Sequence, residues 1–257
     1  MEIKNVLFDL DGTLLPMDME RFTNGYFQLL TEKMAPLGYD PKALTDAVWA
    51  GTAAMVKNDG SRLNEEAFWT KFAQAFGPEA LADQPVFEAF YANEFQRARQ
   101  FCGYDPLAAQ AVEAVKASGR RVVLATNPIF PAAATRSRLS WAGLEPADFE
   151  LVTTYENSRF CKPSVGYYQE ILDRLGLRGE ECLMVGNDMT EDTAAAEAGM
   201  GVFLITSCLI NKEGKDVNAW PHGGFDPMSR FVCEKPCWRK PMEDFAFSTF
   251  PNENFLA

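Results

Sequence analysis

Short apolar runs recur along the chain, and each one stops at a polar residue or a turn residue. Runs of this length, bounded by glycine, proline, asparagine or aspartate, are typical of buried strands. They predict strands at Val6–Phe8, Val122–Ala125, Phe149–Thr154, Cys182–Val185 and Val202–Ile205. The first strand is separated from the others by a long stretch of a different kind.

That stretch, residues 17–101, has apolar residues at helical spacing and no convincing strand. The pattern predicts helices around Phe22–Met34, Pro41–Val56, Asn64–Phe76 and Phe87–Phe95, with residues 57–64 as a loop. Several amphipathic helices of this length are enough to bury a small core of their own. We therefore expect an all-helical domain inserted after the first strand.

After residue 104 helices alternate with strands. Helices are predicted at 105–118, 132–141, 164–175 and 190–198. Such alternation favours parallel pairing with right-handed crossovers, and it predicts a doubly wound α/β sheet that is covered on both faces. The predicted division is an α/β core of residues 1–16 and 102–257, with a helical domain at 17–101. Aromatic residues in the 207–257 tail indicate that it packs on the core.

The 257 residues are 47% hydrophobic and carry a net charge of -12, which is unfavourable for binding nucleic acid or an anionic membrane. No stretch resembles a signal peptide or a membrane span, so the cytoplasm is expected. The single histidine, His222, rules out a histidine-based triad. Cys233 and Cys237 are close enough in sequence to bind metal or form a disulfide, but an unremarkable tail is the favoured interpretation.

Candidate chemistry begins where the first strand ends, at DLDGTLL. Asp9 and Asp11 are two residues apart on an extended chain, so both carboxylates point the same way. An isolated D-x-D-G also occurs in a simple Asx-type turn. Two adjacent buried carboxylates, however, require a cation between them or a proton on one of them.

Polar residues also follow the later strands. Thr126 and Asn127 end the second strand, and Lys162 comes just before a proline and a helix. Each of these is ordinary by itself. Asp188 and Asp192 are four residues apart after a strand and a glycine, so their carboxylates are expected to lie near each other. In a parallel sheet, ligands bind at the carboxyl ends of the strands, where all of these residues are expected.

Together these motifs resemble the haloacid dehalogenase superfamily, whose members are mostly magnesium-dependent phosphatases. DLDGTLL is similar to its motif I, and the residues after the later strands follow in the order of motifs II to IV. The resemblance covers residues 1 to about 206. It implies a Rossmann-like core and a helical cap inserted after motif I, over residues 17–101.

For the chemistry, the resemblance implies that Asp9 attacks phosphorus and that Asp11 acts as general acid and base. It also implies Mg²⁺ bound by Asp9, by the Asp11 carbonyl and by Asp188. Carboxylate oxygens suit such a hard ion.

The other motif residues are expected to act on the phosphoryl group or behind it. Thr126, Asn127 and Lys162 would bind the phosphoryl oxygens, and Asp192 would act indirectly.

Three alternatives remain open. A dehalogenase of this fold attacks carbon and does not need an acid at position 11. A phosphomutase keeps all four motifs, so the motifs do not separate it from a phosphatase. A binding module would usually have lost a motif residue. The expected partner is a small phosphorylated metabolite, and the expected oligomeric state is a monomer or a small homo-oligomer. Four basic residues of the helical domain are candidates for contacting the substrate anion, namely Arg21, Lys33, Lys57 and Arg62.

Overall fold

A five-stranded parallel sheet forms the centre of the computed structural model, which describes residues 2–234. Its order is β2-β1-β3-β4-β5. The strands are β1 Asn5–Phe8, β2 Arg121–Leu124, β3 Cys182–Gly186, β4 Gly201–Ile205 and β5 His222–Gly223. β1 pairs with β2 on one side and β3 on the other, so its carboxyl end lies between two neighbouring strand ends. The predicted α/β fold is confirmed.

Helices cover both faces of this sheet. They are α5 Pro106–Ala117, α6 Ala132–Trp141, α7 Val165–Leu175 and α8 Phe225–Glu234. The side chains of Asp105 and Ser164 cap the first turns of α5 and α7. Gly176 ends α7 in the left-handed conformation, at φ 62°. These ends agree with the sequence predictions.

Between β1 and β2 lies a helical segment, residues 19–101. Its helices are α1 Met19–Met34, α2 Pro41–Val56, α3 Asn64–Phe76 and α4 Gln84–Ala92. A 3₁₀ helix, Glu94–Phe101, completes it. Its interior is largely aromatic, and Phe72, Phe90 and Phe95 have no exposed surface. Burial of large apolar side chains is what stabilises helices of this length.

Several contacts attach the helical segment to the core, among them the 2.6 Å hydrogen bond from Gln96 Nε2 to the Ser137 hydroxyl. Where it enters and leaves, Met17 and Cys102 form an antiparallel bridge, and the Gly103 N–H donates to the Pro16 carbonyl at 2.7 Å. Another attachment is the fully buried Asn64 at the start of α3. Its side chain donates to the carbonyls of Pro128 and Phe160 at 3.3 and 3.2 Å.

Three element predictions are wrong in detail. The helix expected through Phe95 ends at Ala92, and Phe95 lies in the 3₁₀ helix Glu94–Phe101. The strand expected at 149–154 is an isolated bridge from Val152 to Leu124, although the N–H groups of Glu150 and Thr153 donate to the carbonyls of Val122 and Leu124 at 2.9 and 3.1 Å. The helix expected at 190–198 is a 3₁₀ helix, Thr193–Ala198. Its first turn is replaced because the Asp188 side chain accepts from the N–H groups of residues 190 and 191.

The described part of the tail packs against the core. The side chains of Met228 and Val232 on α8 are fully buried, and the rings of Phe231 and Phe203 lie 5.5 Å apart. Trp238, Phe245, Phe250 and Cys237 fall outside the described residues. Among residues 2–234, no helix combines the length and apolar character needed to cross a membrane.

Candidate active site

One cavity of about 1090 Å³ opens over the carboxyl ends of β1, β2 and β3. All the site residues predicted from the sequence line it except Lys162, namely Asp9, Asp11, Thr126, Asn127, Asp188 and Asp192. Lys162 lies directly beneath, in contact with Asp9. The structure therefore brings the predicted residues together at one edge of the sheet.

Asp9 is the first residue after β1, and it is 7% exposed. One carboxylate oxygen accepts from Lys162 Nζ at 2.9 Å, and the other accepts from the Thr13 hydroxyl at 3.2 Å. Burial raises the pKa of Asp9 to about 7, although the Lys162 ammonium acts to lower it. The carboxylate is thus held in a fixed orientation at the floor of the cavity.

Lys162 is 1% exposed and lies between two carboxylates. Its ammonium is 2.9 Å from Asp9 and 2.7 Å from Asp192. Burial lowers the pKa of Lys162, but these two carboxylates outweigh burial and hold the pKa well above its ordinary value. The lysine is therefore a permanent positive charge beside Asp9, and an ion pair this deeply buried is stable only with such close partners.

Asp192 is also 1% exposed, and both of its oxygens are occupied. One binds Lys162, and the other accepts from the N–H groups of Asn187 and Asp188 at 2.8 and 2.9 Å. Its carboxylate therefore fixes the lysine and the turn after β3. In this structure it acts on the cavity through those groups.

One oxygen of the Asp188 carboxylate accepts from the N–H groups of Thr190 and Glu191 at 2.7 and 2.9 Å. The Asp188 backbone N–H in turn donates to Asp192 at 2.9 Å. The residue that sequence analysis missed here is Asn187, directly after β3 and 1% exposed. Its side-chain oxygen lies 2.9 Å from the Thr13 hydroxyl, whose single proton is shared between Asn187 and Asp9.

Gly12 makes this approach possible. Its φ is +83°, which L side chains rarely adopt, and a Cβ on it would lie 2.2 Å from the Asn187 side-chain nitrogen. The glycine of D-x-D-G is therefore required both by the turn and by the close contact between the ends of β1 and β3.

Asp11 has a partner that was not predicted. One carboxylate oxygen forms an ion pair with Arg138 of α6, whose side chain is fully buried. The other oxygen, Oδ1, is buried without a hydrogen-bond partner. Sequence analysis gave no reason to choose Arg138, since arginine on a helix is usually a solvated charge.

Thr126 and Asn127 follow β2 and form a wall of the cavity. The side-chain oxygen of Asn127 accepts from the Lys162 backbone N–H at 3.2 Å, and its NH₂ group donates to Glu191 at 3.0 Å. Burial raises the pKa of Glu191 to about 7. The Thr126 carbonyl accepts from the Tyr167 hydroxyl at 2.9 Å, so the strand end is held rigidly.

Of the candidate cations in the helical segment, Arg21 lines the cavity and the others do not. Lys33 pairs with Glu94 at 2.7 Å, and Arg62 borders a separate open cavity of about 670 Å³. Residues 57–64 do not line the cavity, and Asn64 ties this loop to the core at Pro128 and beside residues 158–161. Lys212, in the loop after β4, is a further cation of the cavity.

The donor set fits a hard divalent cation only in part. Within residues 2–234, no three carboxylate, imidazole or thiol groups converge as a ready-made metal cage. The cavity does offer oxygen donors from Asp9, Asp11 and Asp188. That suits an ion such as Mg²⁺, which completes its coordination with water and substrate phosphate.

A family model described as haloacid dehalogenase-like hydrolase matches residues 3–199. The chain belongs to this family. Two characterised relatives are phosphatases by name. Glyceraldehyde 3-phosphate phosphatase of Methanothermobacter thermautotrophicus is 36% identical over 27% of this chain and 34% of that protein, so this match spans about a third of the relative. Phosphoglycolate phosphatase of Rhodospirillum rubrum is 26% identical over 79% of both chains.

Solved structures of haloacid dehalogenase-like proteins share the fold. The 2-haloacid dehalogenase of Pseudomonas syringae is 19% identical, with a TM-score of 0.59 over 91% of this chain and 99% of that one. The HAD-hydrolase YfnB of Bacillus subtilis, solved with magnesium bound, is 16% identical, with a TM-score of 0.54 over 91% and 100%. At such identities the likeness concerns the fold alone.

Proposed function

We propose that this haloacid dehalogenase-like hydrolase is a phosphatase that cleaves small phosphate monoesters through a phospho-aspartate on Asp9. The observation that carries the proposal is the arrangement around Asp9. A buried carboxylate is held by Lys162 and Thr13 at the floor of a cavity, and Asp11 lies two residues further along. A nucleophile beside a fixed cation suits attack on an anionic phosphoryl group.

In the first step, an Asp9 oxygen bonds to phosphorus as the bond from phosphorus to the ester oxygen breaks. The ester oxygen leaves with a proton from Asp11. In the second step, Asp11 takes a proton from water, which attacks phosphorus and releases phosphate from Asp9. Lys162, Thr126 and Asn127 stabilise the negative charge on the transferring group. Asp192 keeps Lys162 in position.

Asp9, the Asp11 carbonyl and Asp188 would hold Mg²⁺ in this proposal. When bound, the ion would reduce the repulsion between the attacking carboxylate and the phosphoryl oxygens. Support comes from the oxygen donors that line the cavity. The magnesium-bound structural relative is consistent with the same cofactor.

The substrate in this proposal is a small ester enclosed beneath the helical segment, residues 17–101, acting as a cap. Both phosphatase relatives are named for small phosphorylated compounds, and a closed lid would exclude water from the reaction. We also propose a cytoplasmic monomer or small homo-oligomer, in keeping with the unpaired buried thiols of Cys161 and Cys182. The proposal includes no nucleic-acid or membrane partner, in keeping with the net charge of -12.

A screen of phosphorylated metabolites with Mg²⁺, scored for phosphate release, tests the activity. Acid-quenched enzyme should carry phosphate on Asp9, and a phosphopeptide should be a poorer substrate than the best metabolite. Chloride release from 2-haloacids and phosphate transfer to a sugar hydroxyl are measured in parallel. Absence of phosphate release from every ester, or a phosphopeptide that is the best substrate, would contradict the proposal.

A further inference from the structure

We infer that Arg138 is a positioning residue, which orients Asp11 so that one oxygen faces the ester group that leaves. The inference rests on the proposed phosphatase function and adds a residue to it. Arg138 is fully buried and does not line the cavity. It therefore acts on the reaction through Asp11 and not by touching the substrate.

The whole Arg138 side chain is fixed by its own surroundings. Nε donates to the Ala134 carbonyl at 3.4 Å, and Nη2 donates to the Thr135 hydroxyl at 3.2 Å. The guanidinium lies over the Phe130 ring, 4.4 Å from its centroid. The planar group thus has one orientation, in which Nη1 is directed at Asp11.

The consequence for Asp11 is an asymmetric carboxyl group. Oδ2 is paired with Arg138, while Oδ1 is buried and has no hydrogen-bond partner in the described structure. Leaving a buried carboxylate oxygen unpaired is costly, and Oδ1 is closed to solvent in this structure, so it gains a partner only when the surrounding side chains shift to admit the substrate. The ester oxygen in the first step and the water in the second are such partners.

In the proton transfer, the Oδ1–H bond of Asp11 breaks as the new O–H bond forms on the leaving alcohol. The carboxylate that remains is paired with the guanidinium, which neither gains nor loses a proton. In the second step, Oδ1 takes a proton from the attacking water. Arg138 thus serves both steps by keeping the same oxygen directed at the reacting groups.

The test compares two esters on the same enzyme preparation. An alkyl phosphate needs a proton on its leaving oxygen, whereas p-nitrophenyl phosphate has a good leaving group and needs little help. The ratio of the two kcat/KM values reports on proton delivery during the first step. Any loss of folded enzyme cancels in this ratio, so even a poorly folding variant is informative.

The variants are Arg138→Lys, Arg138→Gln and Asp11→Asn. Asp11→Asn should lower kcat/KM for the alkyl ester by about 10²- to 10⁴-fold, and the p-nitrophenyl ester much less. Both Arg138 variants should shift the ratio in the same direction by about tenfold or more, because neither side chain can contact Asp11 while also keeping the hydrogen bonds to Ala134 and Thr135. The double variant with Arg138→Lys and Asp11→Asn should have the same ratio of kcat/KM values as Asp11→Asn alone.

Arg121→Gln is the matched control. Arg121 also pairs with a carboxylate, that of Glu150 at 2.6 and 2.5 Å, but it lies at the amino end of β2 and does not line the cavity. Its ratio should equal that of the wild type. Suppose that Asp11→Asn lowers kcat/KM more for the alkyl ester than for the p-nitrophenyl ester, while both Arg138 variants lower it equally for the two esters. The inference is then wrong and the proposed function stands. If the wild type cleaves neither ester, the proposed function itself fails.

Discussion

The sheet edge and the helical segment bury different kinds of side chain. At the edge, buried charges contact one another: Lys162 lies between Asp9 and Asp192, and Arg138 pairs with Asp11. In residues 19–101, all of which the structure describes, the interior is aromatic and aliphatic, and Asn64 is the only fully buried amide or charged side chain. The fold therefore gathers its buried charge at the carboxyl ends of the strands.

This difference has an energetic meaning. Burying a charge costs several kcal/mol unless a partner repays it, whereas burying aromatic surface is favourable by itself. The helical segment can therefore be optimised for stability. At the sheet edge, apolar residues would stabilise the fold better than buried charges do. Buried charges at such a place are therefore expected of a site that carries out chemistry.

The largest effect is expected at Asp9. Asp9→Asn should reduce turnover by on the order of 10⁴-fold or more, since the amide is a poor nucleophile. The fold should persist, because the amide is nearly isosteric and Lys162 keeps its contact with Asp192. Phosphate release and circular dichroism measure the two properties. The control is Asp46→Asn, which changes an exposed ion pair on α2 and should be fully active. If Asp9→Asn keeps more than a few per cent of the activity, the covalent mechanism is wrong.

Removal of the metal should come next. EDTA should lower phosphate release by about 10³-fold, because the ion supplies several kcal/mol of charge stabilisation, and Mg²⁺ should restore it. Asp188→Ala should raise the Mg²⁺ concentration needed for half-maximal activity. Binding should also raise the melting temperature of the wild type without substrate. An enzyme fully active in metal-free buffer would argue against the predicted magnesium site.

The strand ends explain why so much of the site could be predicted. Asp9, Thr126 and Asp188 each follow an apolar run, and parallel topology alone brings such residues to one edge. Lys162 was identified through its order in the motifs. Its actual surroundings, between Asp9 and Asp192, depend on how the loop before α7 folds, which local sequence does not reveal.

Arg138 and Asn64 were missed because their roles depend on distant contacts. Arg138 lies 127 positions from Asp11 in sequence, and Asn64 lies 96 positions from Phe160. Both occur in helices whose local pattern is satisfied without any such contact. A buried arginine or asparagine becomes recognisable only when packing removes it from water.

Lys162→Met should be strongly destabilising because it leaves two buried carboxylates without a cation. We expect a loss of about 3–5 kcal/mol in the free energy of unfolding, the usual consequence of breaking a buried pair. Lys42→Met, in the exposed pair with Asp46 at 2.6 Å on α2, should lower the free energy of unfolding far less, because solvent screens that pair. Urea unfolding measures both. Equal losses in the two variants would mean that the buried pair is no more important than the exposed one.

Asn64→Ala should have an intermediate effect, since it removes the hydrogen bonds that hold α3 to the core. Two buried carbonyls, those of Pro128 and Phe160, would lose a donor, at a cost of about 1–3 kcal/mol. Hydrogen exchange should rise first at the start of α3. The control is Asn93→Ala, which loses only an exposed hydrogen bond to the Ala89 carbonyl. If its free energy of unfolding falls as much as that of Asn64→Ala, the contacts of Asn64 have no special importance.

The smallest effect is expected at Arg21, where the helical segment meets the cavity. Its Nη2 donates to the Gln100 carbonyl at 3.4 Å, which leaves other guanidinium donors for a substrate anion. Arg21→Ala should raise KM about fivefold for an ester that carries a second negative group. That change corresponds to roughly 1 kcal/mol of binding free energy, which is typical of an exposed ion pair. kcat should change little, because Arg21 lies on the cap side of the cavity, away from Asp9. Arg62→Ala should alter neither constant, since Arg62 borders the separate cavity beside Trp69. Steady-state kinetics on esters with and without the second charge show which of the two arginines binds that charge. A KM change confined to Arg62→Ala would mean that the other cavity selects the substrate.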